Sequence, residues 1–281
     1  MVLFPNCKIN IGLNITSKRN DGYHNIQTIF FPVRWYDVLE VIDNPNLKSS
    51  DNNNKTASFQ LQVSGIAVPG NASDNICIKA LELLRKDFPS IPTVDIFLHK
   101  TIPAGAGLGG GSADGAFMLK LVNEKYKLNL STEQLIQYAA QLGSDCAFFV
   151  YNKPCFATSR GEILEPIQLD LSAYTLVLIN PGIHVNTGAA FSAITPAEPA
   201  QSLKEIIQEP ITNWKALITN DFEQAVFQQH PELKTIKAQL YDHGAVYSAM
   251  SGSGSTIYGF FPANAVPAMT WNDNYIQKIV G

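Results

Sequence analysis

Five glycines fall within seven residues of Pro103-Ala104-Gly105-Ala106-Gly107-Leu108-Gly109-Gly110-Gly111-Ser112-Ala113-Asp114. A strand or helix interior does not tolerate that density, because glycine loses more backbone freedom on ordering than any other residue. What the glycines offer is a main chain that approaches an anion closely and presents several N–H groups together. The stretch runs into a segment from about Ala113 to Tyr126 that reads as a helix, whose N-terminal partial charge adds to the attraction. A phosphate at that junction is the chemistry these residues suit. Ser112 is placed to cap the helix or to offer its hydroxyl to a metal ion, and Asp114 reads as a favourable first-turn charge.

The familiar phosphate loops do not fit. Gly105, Gly107 and Gly110 match G-x-G-x-x-G, but the loop lies a hundred residues into the chain and a helix follows it, where a dinucleotide fold needs a second strand and an acid. No Lys-Ser or Lys-Thr follows the glycines, so it is not a Walker loop. Neither H-R-D nor D-F-G occurs, which excludes a protein-kinase loop. A second small-residue loop, Ser251-Gly252-Ser253-Gly254-Ser255, reads by itself as an ordinary hairpin. Asp145 follows the helix stop Gly143 and precedes an apolar run, Cys146 to Val150, so its carboxylate should be half-buried. It is the best candidate for a base, against the plainer reading of a solvated helix-end aspartate. Lys8 is a lone lysine in the strand-like stretch Cys7 to Ile15, where a solvated guard of an edge strand is the ordinary reading.

These groups need elements to hold them. Val38–Ile42 and Ala57–Val63 are strand-like, the second alternating well, and read as a long hairpin with a polar tip, Ser49 to Lys55. Ser73 or Asp74 caps a helix that Pro89 ends; Val94–Leu98 is a strand. Ser131 and Gln134 form a capping box for another helix, closed at Gly143. Cys146–Val150 reads as a strand, as do Tyr174–Ile179, Ala245–Met250, Thr256–Phe261 and Ile276–Val280. The pattern loosens around Asn152 to Gly161, which gives domains of 1–156 and 157–281. Strands and helices in irregular order indicate an α+β fold.

Three runs together resemble the GHMP small-molecule kinases. They are Gly107-Leu108-Gly109-Gly110-Gly111-Ser112-Ala113-Asp114, Met250-Ser251-Gly252-Ser253-Gly254-Ser255-Thr256, and Lys8-Ile9-Asn10-Ile11-Gly12-Leu13 followed by Asp21-Gly22-Tyr23-His24-Asn25-Ile26-Gln27-Thr28. The resemblance spans nearly the whole chain. The D-G-Y-H-x-x-Q-T run points to the branch whose substrate is a cytidine diphosphate-linked methylerythritol. The resemblance implies a two-domain fold, ribosomal-S5-like then ferredoxin-like, with ATP and Mg²⁺ as cofactors. It implies Pro103 to Ala113 on the ATP phosphates, Lys100 and the Ser73–Ile76 stretch beside the adenine, and Ser112 on the metal. Asp145, in Leu142-Gly143-Ser144-Asp145, becomes the base, with Lys8 beside it. Asn10 bonds substrate near the acceptor; Tyr23, His24, Thr187 and Phe191 hold the cytidine end; Ser251 and Gly252 close over phosphate. Two departures from the family pattern are Ala113 for a common serine and Gly115 for the usual alanine. The rivals are a kinase for another small alcohol, of the homoserine or mevalonate type, and a non-catalytic nucleotide sensor on the same fold.

Composition sets the bounds. The 281 residues carry 20 Lys plus Arg against 24 Asp plus Glu, a net charge of −4, which argues against a nucleic-acid partner. With 46% apolar residues a substantial core is available. Cys7, Cys77, Cys146 and Cys155 are too dispersed for a zinc site or a disulfide scaffold. No leader-like start and no apolar run long enough to span a bilayer is visible. A cytoplasmic monomer or weak homodimer is the expectation, with no membrane partner.

Overall fold

The computed structural model describes residues 1–46, 59–68, 70, 71, 74–263 and 265–281. A short strand β1 (Val2–Leu3) leads into the long strand β2 (Asn6–Lys18). In β2 the apolar residues Cys7, Ile9, Ile11, Leu13 and Ile15 recur at every second position and are all buried. Successive side chains of a strand point to opposite faces, so Lys8 and Asn10 share the other face. β3 (His24–Tyr36) and β4 (Val38–Asp43) follow, then β5 (Phe59–Gly65), α1 (Ile76–Asp87), β6 (Val94–Lys100), α2 (Gly110–Lys125), α3 (Thr132–Leu142) and α4 (Cys146–Tyr151). The remainder runs β7 (Cys155–Thr158), β8 (Ile163–Pro166), β9 (Tyr174–Asn180), α5 (Thr187–Ser192), α6 (Leu203–Ile206), α7 (Ile211–Leu217), α8 (Phe222–Gln229), α9 (Pro231–Asp242), β10 (Tyr247–Met250), β11 (Ile257–Pro262) and β12 (Ile276–Val280). The fold is α+β, as its irregular element order indicates.

The chain forms two compact units. The first comprises Met1–Cys7, Trp35–Ala104 and Gly110–Asn152; the second comprises Lys8–Arg34, Gly105–Gly109 and Lys153–Gly281. In the first unit the sheet order is β1-β4-β6-β5, antiparallel except for the parallel pair β5–β6. The hairpin expected between β4 and β5 does not form, because β6 lies between them. β6 is the most deeply buried of the three, with Val94, Ile96 and Leu98 in the core, and belongs at the centre; the Gln and Ser positions of β5 suit an edge. The polar tip of that hairpin and the Ser73 cap lie outside the described residues. The cap of α1 is Asn75, whose side chain accepts from the Cys77 N–H at 2.9 Å.

Around α2 pack α1, α3 and α4. Cys146 to Val150 is helix α4, not a strand. All five residues are buried, so their sequence shows no alternation that could distinguish the two. The capping box of α3 forms as expected, with Ser131 and Gln134 reciprocally bonded and Gly143 at the C-terminus.

The second unit holds two four-stranded sheets, β2-β3-β7-β8 and the antiparallel β10-β11-β9-β12. Helix α9 packs on β10 and β11, and Val177, Ile179, Leu233, Ile236, Leu240 and Ile257 form one buried cluster with Leu13 and Ile15 of β2. Fully burying such an aliphatic side chain contributes about 1.5–3 kcal/mol relative to leaving it exposed, so β2 is fixed firmly by the face that does no chemistry. The four cysteines are buried and unbridged. No helix among the described residues is long and apolar enough to cross a membrane.

Candidate active site

In the second unit the glycine loop is tied down by its carbonyls. The Lys8 N–H donates to Leu108 O at 2.9 Å, the Ser251 hydroxyl to Gly107 O at 2.8 Å, and the Thr256 N–H to Ala106 O at 3.2 Å. Among the described residues, no protein acceptor meets the N–H groups of Gly105 to Gly109. A loop whose oxygens are engaged and whose amides are unpaired is an anion cradle. Gly107 makes this geometry possible: its φ is +78°, and a Cβ there would stand 2.0 Å from Ser251 O. The two small-residue loops therefore touch backbone to backbone, a contact the sequence only hinted at.

Lys8 is not a solvated guard. It is 4% exposed, with its Nζ donating to Asn10 Oδ1 at 2.6 Å and to Gly107 O at 3.2 Å, above the Phe30 ring. Asn10 uses its other end on Thr28 Oγ1, at 3.0 Å. Ser251 Oγ accepts from the Asn10 N–H at 3.1 Å, and Asn220 Nδ2 donates at 2.8 Å to the carbonyls of both Met250 and Gly252. Among the residues named from sequence, His24 and Phe191 stack at 4.9 Å with a 12° interplanar angle. Thr187, at the start of α5, pairs its hydroxyl with Ser253 at 2.8 Å. Tyr23 is 56% exposed and carries the Arg160 guanidinium over its ring at 4.7 Å.

In the first unit helix α2 starts at Gly110, three residues earlier than the apolar pattern suggested. Its first four N–H groups have no intrahelical partner. Ser112 therefore lies inside the first turn and not at the cap, with its hydroxyl close to the Cys146 thiol. Asp145 is half-buried at the N-cap of α4, next to Cys146. Asp114 is no first-turn charge. It is 2% exposed, and Lys100 Nζ donates to its Oδ2 at 2.6 Å and also to Asp37 Oδ2. Asp37 Oδ1 in turn accepts from the N–H groups of Thr101 (2.6 Å) and Ile102 (2.9 Å). Burial opposes the Lys100 charge, but the two carboxylates outweigh it and its pKa is raised. Burial pushes the Asp114 carboxyl up to about 7, with Lys100 pulling it down and Asp37 pushing it further up. Asp37 escaped the sequence reading; an acid isolated between two apolar strands was its only signal.

An open cleft of about 520 Å³ in this unit is lined by Lys100, Ala104, Gly111, Asp114 and Ile76, among others. It joins the two stretches expected to flank a base with the start of α2. Both departures from the family pattern have packing reasons: a Cβ on Gly115 would meet Ile76 Cγ1 at 2.7 Å, and Ala113 is wholly buried. For a hard cation such as Mg²⁺ the oxygen donors on hand are the Ser112 hydroxyl and the Asp145 carboxylate, both near Cys146. That donor type fits the ion.

Comparison with known proteins agrees with this arrangement. Family models for the GHMP kinases N terminal domain and the GHMP kinases C terminal match residues 75–153 and 202–270. A 4-diphosphocytidyl-2-C-methyl-D-erythritol kinase of Bacteroides thetaiotaomicron is 50% identical over 275 residues, 98% of this chain and 97% of the relative. One from Bacteroides fragilis is 51% identical over 93% of this chain and 92% of its own length. The crystal structure of a 4-(cytidine 5'-diphospho)-2C-methyl-D-erythritol kinase superposes with a TM-score of 0.74 at 29% identity, covering 92% of this chain and 89% of that one. With glycine loop, Lys8–Asn10 pair and Asp145 all in a chain so similar over its full length, the chain belongs to the GHMP kinases and, within them, to the 4-diphosphocytidyl-2-C-methyl-D-erythritol kinase family.

Proposed function

We propose that this chain transfers the γ-phosphoryl group of ATP to the 2-hydroxyl of 4-diphosphocytidyl-2-C-methyl-D-erythritol, a step of non-mevalonate isoprenoid precursor synthesis. The carrying observation is the 50% identity, over 98% of the chain, to a relative of that name. Phosphoryl transfer needs alignment, charge neutralisation and a destination for the acceptor proton. The unpaired amides of Gly105–Gly109 and the N-terminus of α2 take the phosphate charge. Asp145 accepts the proton as the 2-hydroxyl oxygen bonds to the γ-phosphorus and the bond to the ADP oxygen breaks. In a loose transition state the proton leaves late, so a carboxylate suffices. Lys8 orients the hydroxyl. Mg²⁺, held through Ser112, would neutralise charge on the transferred phosphoryl.

His24 and Phe191 present aromatic faces suited to a pyrimidine, Tyr23 adds a third, and Thr187, Ser251 and Gly252 border the substrate. Lys100 acts on the nucleotide side by holding the entry of the glycine loop. The division at 156/157 is supported by the two family models falling on either side of it. The chain works as a cytoplasmic monomer or weak dimer. The test is product identification: ³¹P NMR of the reaction with ATP, Mg²⁺ and the cytidyl substrate should show one new phosphate monoester on the 2-oxygen. ATP hydrolysis without that ester refutes the assignment.

A further inference from the structure

The D-G-Y-H-x-x-Q-T run ends in a threonine to which no role attaches from sequence. Thr28 is wholly buried in β3. Its hydroxyl lies 2.6 Å from Gly12 O and 3.0 Å from Asn10 Nδ2. A carbonyl can only accept, so the Thr28 proton goes to Gly12, and the oxygen lone pairs are left to accept from Asn10. That fixes the side-chain amide: Nδ2 must face Thr28, and Oδ1 must face Lys8 Nζ, 2.6 Å away. An ammonium has donors only, so both ends of the chain of bonds demand the same orientation.

The anchor of the chain is as specific as its members. Gly12 has φ +66°, and a Cβ there would stand 2.6 Å from Leu203 Cδ2 and 2.7 Å from Ile218 Cγ2. Asn10 itself is held at both backbone atoms, its N–H by Ser251 Oγ and its carbonyl by the Tyr258 hydroxyl at 2.8 Å. Only the side-chain amide retains a choice of orientation, and Thr28 and Lys8 settle it from its two ends.

We propose that Thr28 is a positioning residue for phosphoryl transfer: its hydroxyl sets the amide of Asn10, which in turn presents an oxygen to Lys8 and holds the ammonium in place. Without the hydroxyl, Nδ2 is left without its acceptor in a buried site and only the contact with Lys8 still holds the amide, so the Asn10 oxygen and the ammonium on it are no longer fixed from both sides. This inference rests on the proposed kinase reaction and deepens it.

The test compares Thr28→Val, nearly the same shape without the hydroxyl, with Thr28→Ser, which keeps it. A group displaced by about 1 Å can cost about 100-fold in rate. The Val variant should therefore lose about 10- to 100-fold in kcat, with KM for ATP and for the cytidyl substrate within about two-fold of wild type. The Ser variant should recover kcat to within about three-fold of wild type. A merely structural role would lower the melting temperature and the active fraction without that split. Should the Val variant not fold, Thr28→Cys makes the same comparison, and its weakly accepting sulfur predicts a kcat between those of Ser and wild type divided by about 100. Full kcat in folded Val or Cys, or a Ser variant as slow as Val, overturns the proposal. Failure of the kinase reading looks different: wild type itself would then not turn over the cytidyl substrate.

Discussion

In the proposed reaction the chemistry turns on two residues, Lys8 and Asp145. The Lys8 ammonium donates to Asn10 Oδ1 and to Gly107 O, which help hold the cation in place. Asp145 is half-buried at a helix start with no side-chain capping bond. Asp145→Asn should lower kcat by about 100-fold or more, the usual loss for a general base. ATP binding, measured by calorimetry, should change less than about three-fold. Undiminished turnover would mean that another group takes the proton. Gly107→Ala places a Cβ in the left-handed region and against Ser251 O. A left-handed conformation alone costs a non-glycine residue about 1–2 kcal/mol, and the clash with a backbone oxygen adds to it. The variant should melt several degrees lower and raise KM for ATP at least about ten-fold; a variant with both values unchanged would show that the loops do not need their contact. Lys8, Asp145 and the loop glycines stood out because their types are odd for their places: a lysine among isoleucines, an acid before an apolar run, glycines before a helix; Lys8 by itself read as a solvated guard, and only the resemblance to the kinases gave it a role. Thr28 and Asp37 were not, since a threonine in a strand and an acid near a turn are ordinary until their partners are known.

Elements carry these residues, and one tie between elements is the buried triad of Asp37, Lys100 and Asp114. It ties the β3–β4 junction, the end of β6 and the second turn of α2 together. Asp114 has its pKa raised in the folded state, from an ordinary 3.8 to about 7. Between those values the folded protein binds more protons at this site than the unfolded chain does. Stability from this group is therefore fully present at low pH and is lost as pH rises from about 4 to about 7. Asp114→Asn lacks the titration. The stability of wild type minus that of the variant should fall across this window and level off above it, as read from urea unfolding at successive pH values. A difference that grows with pH would show that Lys100 keeps Asp114 ionised throughout. Ser131→Ala should cost about 1 kcal/mol through loss of the α3 capping box. That box and the stop of α3 at Gly143 could be read directly, since capping is written in adjacent residues; the start of α1 was misplaced, its cap being Asn75 and not Ser73 or Asp74. The pairing of β5 with β6 instead of β4, and the helical state of Cys146–Val150, could not. Strand order depends on which neighbour buries most, and a fully buried run has no periodicity to read.

For the whole molecule, the net charge of −4 and the binding of two polyphosphate compounds are compatible. Anion sites built of backbone amides, as the glycine loop is proposed to be, leave no trace in a charge count. The α+β class and the GHMP kinase assignment were both within reach of the sequence, because three separate motifs had to agree in order along the chain. The division of the chain into interleaved segments was not, since β2 and the glycine loop join their unit through contacts distant in sequence. The central claim is the choice of acceptor, and the direct measurement is ADP release with ATP, Mg²⁺ and each of three alcohols: the cytidyl substrate, homoserine and mevalonate. The account predicts a kcat/KM for the cytidyl substrate at least about 1,000-fold above either of the others, the size of discrimination available when a bound group has buried partners of its own. Turnover of homoserine or mevalonate with none of the cytidyl substrate would contradict it.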